Sequence, residues 1–161
     1  LLWGNIHFLF MQSVKNKTRG FTLIEVLIVI GIIAVLAAIV LIAVNPARQF
    51  SKANDAQRAS NINAILNALG QKIVDDKGTI DGEITTTVQD ISSSGADLCS
   101  TLSPTYIPAL PSDPKSAHAG AGISVCGSTY DTNYTIVKDS EGRITVTAPD
   151  TELGTDISVT R

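Results

Sequence analysis

The sequence predicts an α+β fold, a long N-terminal helix packed on a small antiparallel β-sheet domain. Three observations carry this reading. An apolar run holding a single charge, Glu25, extends from Phe21 to Val44. Ala53, Ala56, Ala59, Ile62, Leu66, Leu69 and Ile73 then recur every three or four residues, one stripe of an amphipathic helix. Near the C-terminus the period shortens to two, in Tyr134/Ile136/Lys138 and Ile144/Val146/Ala148, as strands require.

The segments follow in order. Residues 1–10 (LLWGNIHFLF) precede the first methionine, Met11, and are too short to span a bilayer; they read as an upstream extension from a misplaced start. Residues 11–20 form a short basic leader with Lys15, Lys17, Arg19 and no acidic residue. Residues 21–44 are the membrane-length segment. As a helix rising 1.5 Å per residue they reach about 36 Å, against a hydrocarbon core of about 30 Å. Basic residues before the run keep the leader in the cytoplasm and place everything after Val44 outside. The run is too long for the apolar core of an ordinary secretory signal, so cleavage is expected before it.

Residues 45–77 continue the helix with an amphipathic face, and the whole element is expected from Phe21 to about Asp76. Asn45-Pro46 should kink the join, because proline lacks a backbone donor and clashes with the preceding turn. Asp55, Arg58, Asn61 and Lys72 fall off the apolar stripe, and Gly78 is the expected stop. Residues 78–161 are the exported β-rich domain. Thr79 to Ser94 hold too few apolar residues for an assignment, and the proline-rich stretch Thr105–Pro114 reads as an ordered surface loop. Asp139-Ser140-Glu141-Gly142 is the turn of a hairpin, and Ile157 with Val159 marks a last strand.

All 15 acidic residues follow Gly20, while three of the 12 basic ones precede it. The chain after Gly20 therefore holds nine basic and 15 acidic residues, a net −6 against −3 for the whole. That balance argues against nucleic acid as a partner, which needs a basic face. Cys99 and Cys126 are an even pair; in an oxidising compartment they are a candidate disulfide, the alternative being two buried thiols.

Glu25 is the residue most charged with meaning. A carboxylate so near the membrane interior is costly, which makes it a functional hypothesis by default. The bland alternative is an anion favoured by the first turn of its helix. Other tempting sites are weak. Ser112-Asp113-Pro114-Lys115 has the S-x-x-K spacing but sits in a proline-rich loop rather than on a helix face. His118 lacks metal-ligand spacing or a catalytic partner and is expected to be solvent-exposed. Asp131, Asp139, Glu141, Asp150, Glu152 and Asp156 form no EF-hand pattern and read as surface carboxylates. Neither a catalytic nor a metal-ligating residue is assigned.

Gly20-Phe21-Thr22-Leu23-Ile24-Glu25, after a basic leader and opening an apolar helix, resembles the type III signal of type IV pilins and type II secretion pseudopilins. The resemblance covers Met11 to about Ile73 and implies a pilin-like fold. It implies that a prepilin peptidase and N-methyltransferase cuts between Gly20 and Phe21 and methylates the new amine. It also implies that Glu25 meets the Phe21 amine of a neighbouring subunit in a homo-oligomeric filament. Tyr106–Pro114 further resembles a loop of major pseudopilins. Calcium enters through that resemblance as an option with no ligands named; no other cofactor is expected.

The leading expectation is a structural subunit, not an enzyme: a prepilin of a type IV pilus or related filament. It would sit as a single-pass protein in the inner membrane before joining an extracellular or periplasmic filament. The alternatives are a type II secretion pseudopilin, a competence-type DNA-uptake pilin, or a membrane-anchored exported enzyme. Gly31, Ala34, Ala37 and Ala38 offer small surfaces for close helix packing within such a filament.

Overall fold

The computed structural model describes residues 20–79 and 83–161 of the chain. The expectations for the extension and for Lys15, Lys17 and Arg19 lie outside these. The chain divides into two compact units, one ending at Val44 and the other running from Asn45 to Arg161.

The described part of the first unit is α1, Leu23–Val44, a helix none of whose residues is buried. Apart from Glu25 its residues are all leucine, isoleucine, valine, alanine or glycine, with no polar face. A helix apolar all round has no use for water on any side. Its length and composition suffice to cross a membrane.

The second unit opens with α2, Pro46–Asp75. The sequence predicts a kinked continuous helix at Asn45-Pro46, and the structure shows a stop and a restart. Asn45 adopts a left-handed conformation (φ 46°), and its side chain accepts a hydrogen bond from the Arg48 amide at 3.3 Å. Pro46 becomes the first helical residue, where its missing N–H costs nothing because a first-turn donor has no helical partner anyway. At the other end Lys77 takes the left-handed position (φ 59°), one residue before the expected Gly78. The Gly78 amide donates to Ile73 O at 2.7 Å and the Lys77 amide to Val74 O at 3.1 Å, which closes the helix as a Schellman motif.

Four antiparallel strands form one meander in the order β1-β2-β3-β4: Gln89–Ser92, Asp131–Lys138, Ile144–Ala148 and Ile157–Thr160. The predicted hairpin is β2–β3, with Ile136 opposite Val146. Its turn is fixed by the Asp139 carboxylate, which accepts from the Glu141 and Arg143 amides, and by Gly142 at φ 84°. The last predicted strand is β4. The structure adds β1, within the stretch too polar to assign, and a short helix α3, Cys99–Leu102. Alternation along β2 and β3 turns Tyr134, Ile136, Ile144, Val146 and Ala148 inward. With Ile62, Ile65, Leu66 and Leu69 of α2 they make one core. Each large aliphatic side chain so buried contributes roughly 1.5–3 kcal/mol.

Candidate functional site

The first site lies at the start of α1. Thr22 immediately precedes the helix, and Glu25 stands in its first turn. The Thr22 amide donates to Glu25 Oε2 at 2.8 Å and the Thr22 hydroxyl to the same oxygen at 2.7 Å; the Glu25 amide donates to Thr22 Oγ1 at 3.2 Å. This reciprocal arrangement is a capping box, which satisfies helix-end donors that would otherwise lack partners. The T-x-x-E spacing announces it, a signal that the reading of Glu25 as a lone charge passes over. Glu25 thus has a local partner in the single chain, and both side-chain bonds fall on one carboxylate oxygen. Gly20 and Phe21 lie just ahead of the helix in exposed chain without regular secondary structure, with open space where a Gly20 side chain would be. A protease meets no folded obstacle among the described residues at that bond.

A second cluster, in the other unit, is one the apolar stripe conceals. Ala53 and Ala56 are exposed, whereas Asp55, Arg58 and Asn61, three of the four residues set off the stripe, are buried and Lys72 is partly so. Asp55 and Arg58 share the helix face of Ile62, Ile65 and Leu69, and ion pairing is what makes their charges tolerable there. Arg58 is fully buried, and its guanidinium meets three carboxylates: Asp113 (Nε–Oδ2 2.6 Å, Nη2–Oδ1 3.0 Å), Asp55 (2.8 Å) and Glu152 (3.1 Å). Paired at both ends of its fork, an arginine can be carried inside where a lone charge could not. Asp113, supported by the other carboxylates, holds the guanidinium pKa above its ordinary value.

Three separate segments meet on this arginine. Asn61 donates to Ser112 O at 2.9 Å and to the Tyr134 hydroxyl at 2.9 Å. Asp55 accepts from the Glu152 and Leu153 amides, each at 3.1 Å. Burial raises the Asp55 pKa, but those amides and Arg58 outweigh it and leave the group below its usual value. Glu152 accepts from Asn54 at 2.7 Å, pairs with Lys115 at 3.0 Å, and also accepts from Arg58 and Ser51. Asn54 first, then Lys115, hold its carboxyl down to about 2. Burial, the largest influence on the Tyr134 phenol, helps push it up to about 12.

These contacts correct three expectations. The stretch Thr105–Pro114 is no surface loop at its C-terminal end, since Leu110, Ser112 and Asp113 are fully buried. Glu152 belongs to the arginine cluster rather than to a plain acidic surface. His118 is half-buried, with its amide donating to Ser116 Oγ. Ser112 and Lys115 also part company: the serine hydroxyl donates to Ala121 O at 2.9 Å while the lysine reaches Glu152.

Cys99 and Cys126 form a disulfide across 27 residues, with Cα atoms 5.3 Å apart. Beside it the Tyr130 hydroxyl accepts from the Cys99 amide at 3.1 Å and donates to Asp97 at 2.7 Å. Among the described residues no three His, Cys, Asp or Glu side chains gather as metal ligands.

The family described as the prokaryotic N-terminal methylation motif matches residues 15–41. Its span takes in Lys15, Lys17 and Arg19 of the leader, the Gly20-Phe21 bond, the Thr22–Glu25 box and most of α1. No curated protein and no solved structure matches the chain. Residues 15–41 are therefore a prepilin-type signal of the kind carried by precursors of type IV pilins and pseudopilins, which are structural subunits.

Proposed function

We propose that this chain is a prepilin: it is cut after Gly20, methylated on Phe21 and polymerised through α1 into a type IV pilus or related filament. The observation that carries the reading is the methylation motif over residues 15–41, joined to a helix whose every residue is exposed. An apolar helix of this length needs lipid before assembly and other helices after it. The basic leader favours a cytoplasmic N-terminus and an outward C-terminal domain.

In this reading Glu25 sets the register. The α-amine of a cleaved Phe21 has a reference pKa of about 7.7–8.0 and is largely cationic at neutral pH. In low dielectric the amine and a neighbour's carboxylate favour pairing, and either one left alone is penalised. The bonds from Thr22 both use Glu25 Oε2, so Thr22 steadies the carboxylate and, in this reading, Oε1 is the oxygen that meets the incoming amine.

A type II secretion pseudopilin is the second reading. What favours it is the loop Tyr106–Pro114, which resembles that of major pseudopilins and is pinned to α2 by Asp113 and Arg58.

Mass spectrometry of membrane-fraction protein should find an N-terminus at Phe21, heavier by one methyl group. Uncut chain in cells with active prepilin peptidase would refute the proposal. Glu25→Ala should still insert and be cut yet yield no filaments, and normal filaments would remove Glu25 from its role.

A further inference from the structure

We propose that Asn133 is the acceptor for an N-linked oligosaccharide; the inference rests on the outward orientation given above. Asp131-Thr132-Asn133-Tyr134-Thr135 contains N-x-T with a non-proline middle residue, the acceptor pattern of asparagine-linked glycosylation. It also places a carboxylate two residues before the asparagine, a position that bacterial oligosaccharyltransferases read. The chain's other N-x-T, Asn16-Lys17-Thr18, has Val14 at that position and lies in the leader.

The fold presents these residues in the needed way. Along β2, Thr132 and Tyr134 are fully buried, while Asp131 is exposed and Asn133 and Thr135 are partly so. The three side chains of the acceptor pattern thus share the outer face, and the two spacers turn to the core. Asn133 itself is set out of the ladder. The β1–β2 register passes from Asp90 opposite Thr135 to Ser92 opposite Asp131 with an irregularity between, and Asn133 has no Cα partner on β1. Its backbone is left-handed (φ 60°), and Asp131 Oδ1 accepts its amide at 2.8 Å in an Asx turn. Such bulges re-aim a side chain. Here the amide nitrogen Nδ2 reaches an exposed contact with Asp150 Oδ2 at 3.2 Å. The reacting atom is at the surface.

The donor is an oligosaccharide linked through a diphosphate to a polyprenyl lipid, supplied with its transferase. Asn133 Nδ2 forms a bond to the anomeric carbon as the bond from that carbon to the diphosphate oxygen breaks. Polyprenyl diphosphate leaves, and the amide proton passes to a base of the transferase. Nothing is oxidised or reduced.

The test expresses the full chain in a bacterial host together with an oligosaccharyltransferase and an undecaprenyl-diphosphate-linked oligosaccharide. Membrane-fraction protein is digested without reduction and mapped by mass. The Asn133 peptide should gain one oligosaccharide, which Asn133→Gln and Thr135→Val should each abolish and Asp150→Ala should leave in place. The Cys99–Cys126 bridge in the same digest reports export. A bridged chain with bare Asn133 would overturn the acceptor and spare the orientation. Free thiols with bare Asn133 would overturn both, and a glycan that survives Asn133→Gln would place the modification elsewhere.

Discussion

Replacing Arg58 with methionine should unfold the C-terminal unit more readily than any single apolar truncation at the surface of α2. The side chain is fully buried, and so is Asp113, which receives two of its bonds at 2.6 and 3.0 Å. Methionine fills much of the same volume but leaves Asp113 with the Lys115 amide, at 2.7 Å, as its remaining partner. Breaking a buried pair from one side costs about 3–5 kcal/mol, because the other charge stays inside uncompensated. Unfolding entropy is about 2.1 cal/mol/K per residue, or roughly 250 cal/mol/K for the unit Asn45–Arg161, so Tm should fall by about 12–20 °C. Melts of the full chain in detergent at neutral pH, followed by near-UV circular dichroism of the buried tyrosines, would measure it. The double variant Arg58→Met/Asp113→Asn removes the stranded charge as well. It should lie above the additive expectation by about 0.5–3 kcal/mol. A Tm shift under about 4 °C for Arg58→Met, near 1 kcal/mol on the same scale, would mean that the guanidinium is solvated and the reasoning wrong.

Two further outcomes follow from the same unit. Glu152 has a folded-state pKa depressed to about 2, so the stability it contributes is present above the ordinary carboxylate value near 4.5 and lost as pH falls toward 2. Glu152→Gln should therefore flatten the fall of Tm over that window, with some slope left from Asp55; parallel curves for the two proteins would contradict it. Opening the Cys99–Cys126 bridge with the paired change to serine should cost roughly 3.5 kcal/mol by loop-closure entropy over its 27-residue separation, read as a lower denaturant midpoint. An unchanged midpoint would show that Tyr130 and the core hold that loop without the bridge.

How far the sequence could reveal this protein depended on the range of each interaction. Glu25 and its partner Thr22 are three residues apart, and Ile144, Val146 and Ala148 speak through their spacing alone. Such local signals survive reading in one dimension, which is why the two ends of the helical stretch, the hairpin and the last strand stand where they are expected. Arg58 is the opposite case. On a helical wheel it stands one turn before Ile62, on the face of Ile65 and Leu69, yet its charge by default is expected to face water. What allows its charge to stay inside is pairing with Asp113 and Glu152, separated from it by 55 and 94 residues, and no periodicity within α2 encodes those partners. Asp113 was visible only as part of a proline-rich loop, and Glu152 only as one acid among several near the C-terminus. In charge complementarity the sequence offers a pair, Arg58 in phase with the apolar face of α2 and Asp113, the isolated acid of the proline-rich loop. The two carboxylates that matter most here, Glu25 and Asp113, therefore meet the same physical demand by different means. Glu25 draws on the amide and hydroxyl of its own helix start, so its site can form before the domain folds. Asp113 has to wait for α2 and the loop to meet, and its pairing with Arg58 makes folding of the C-terminal unit a condition for presenting that loop at all.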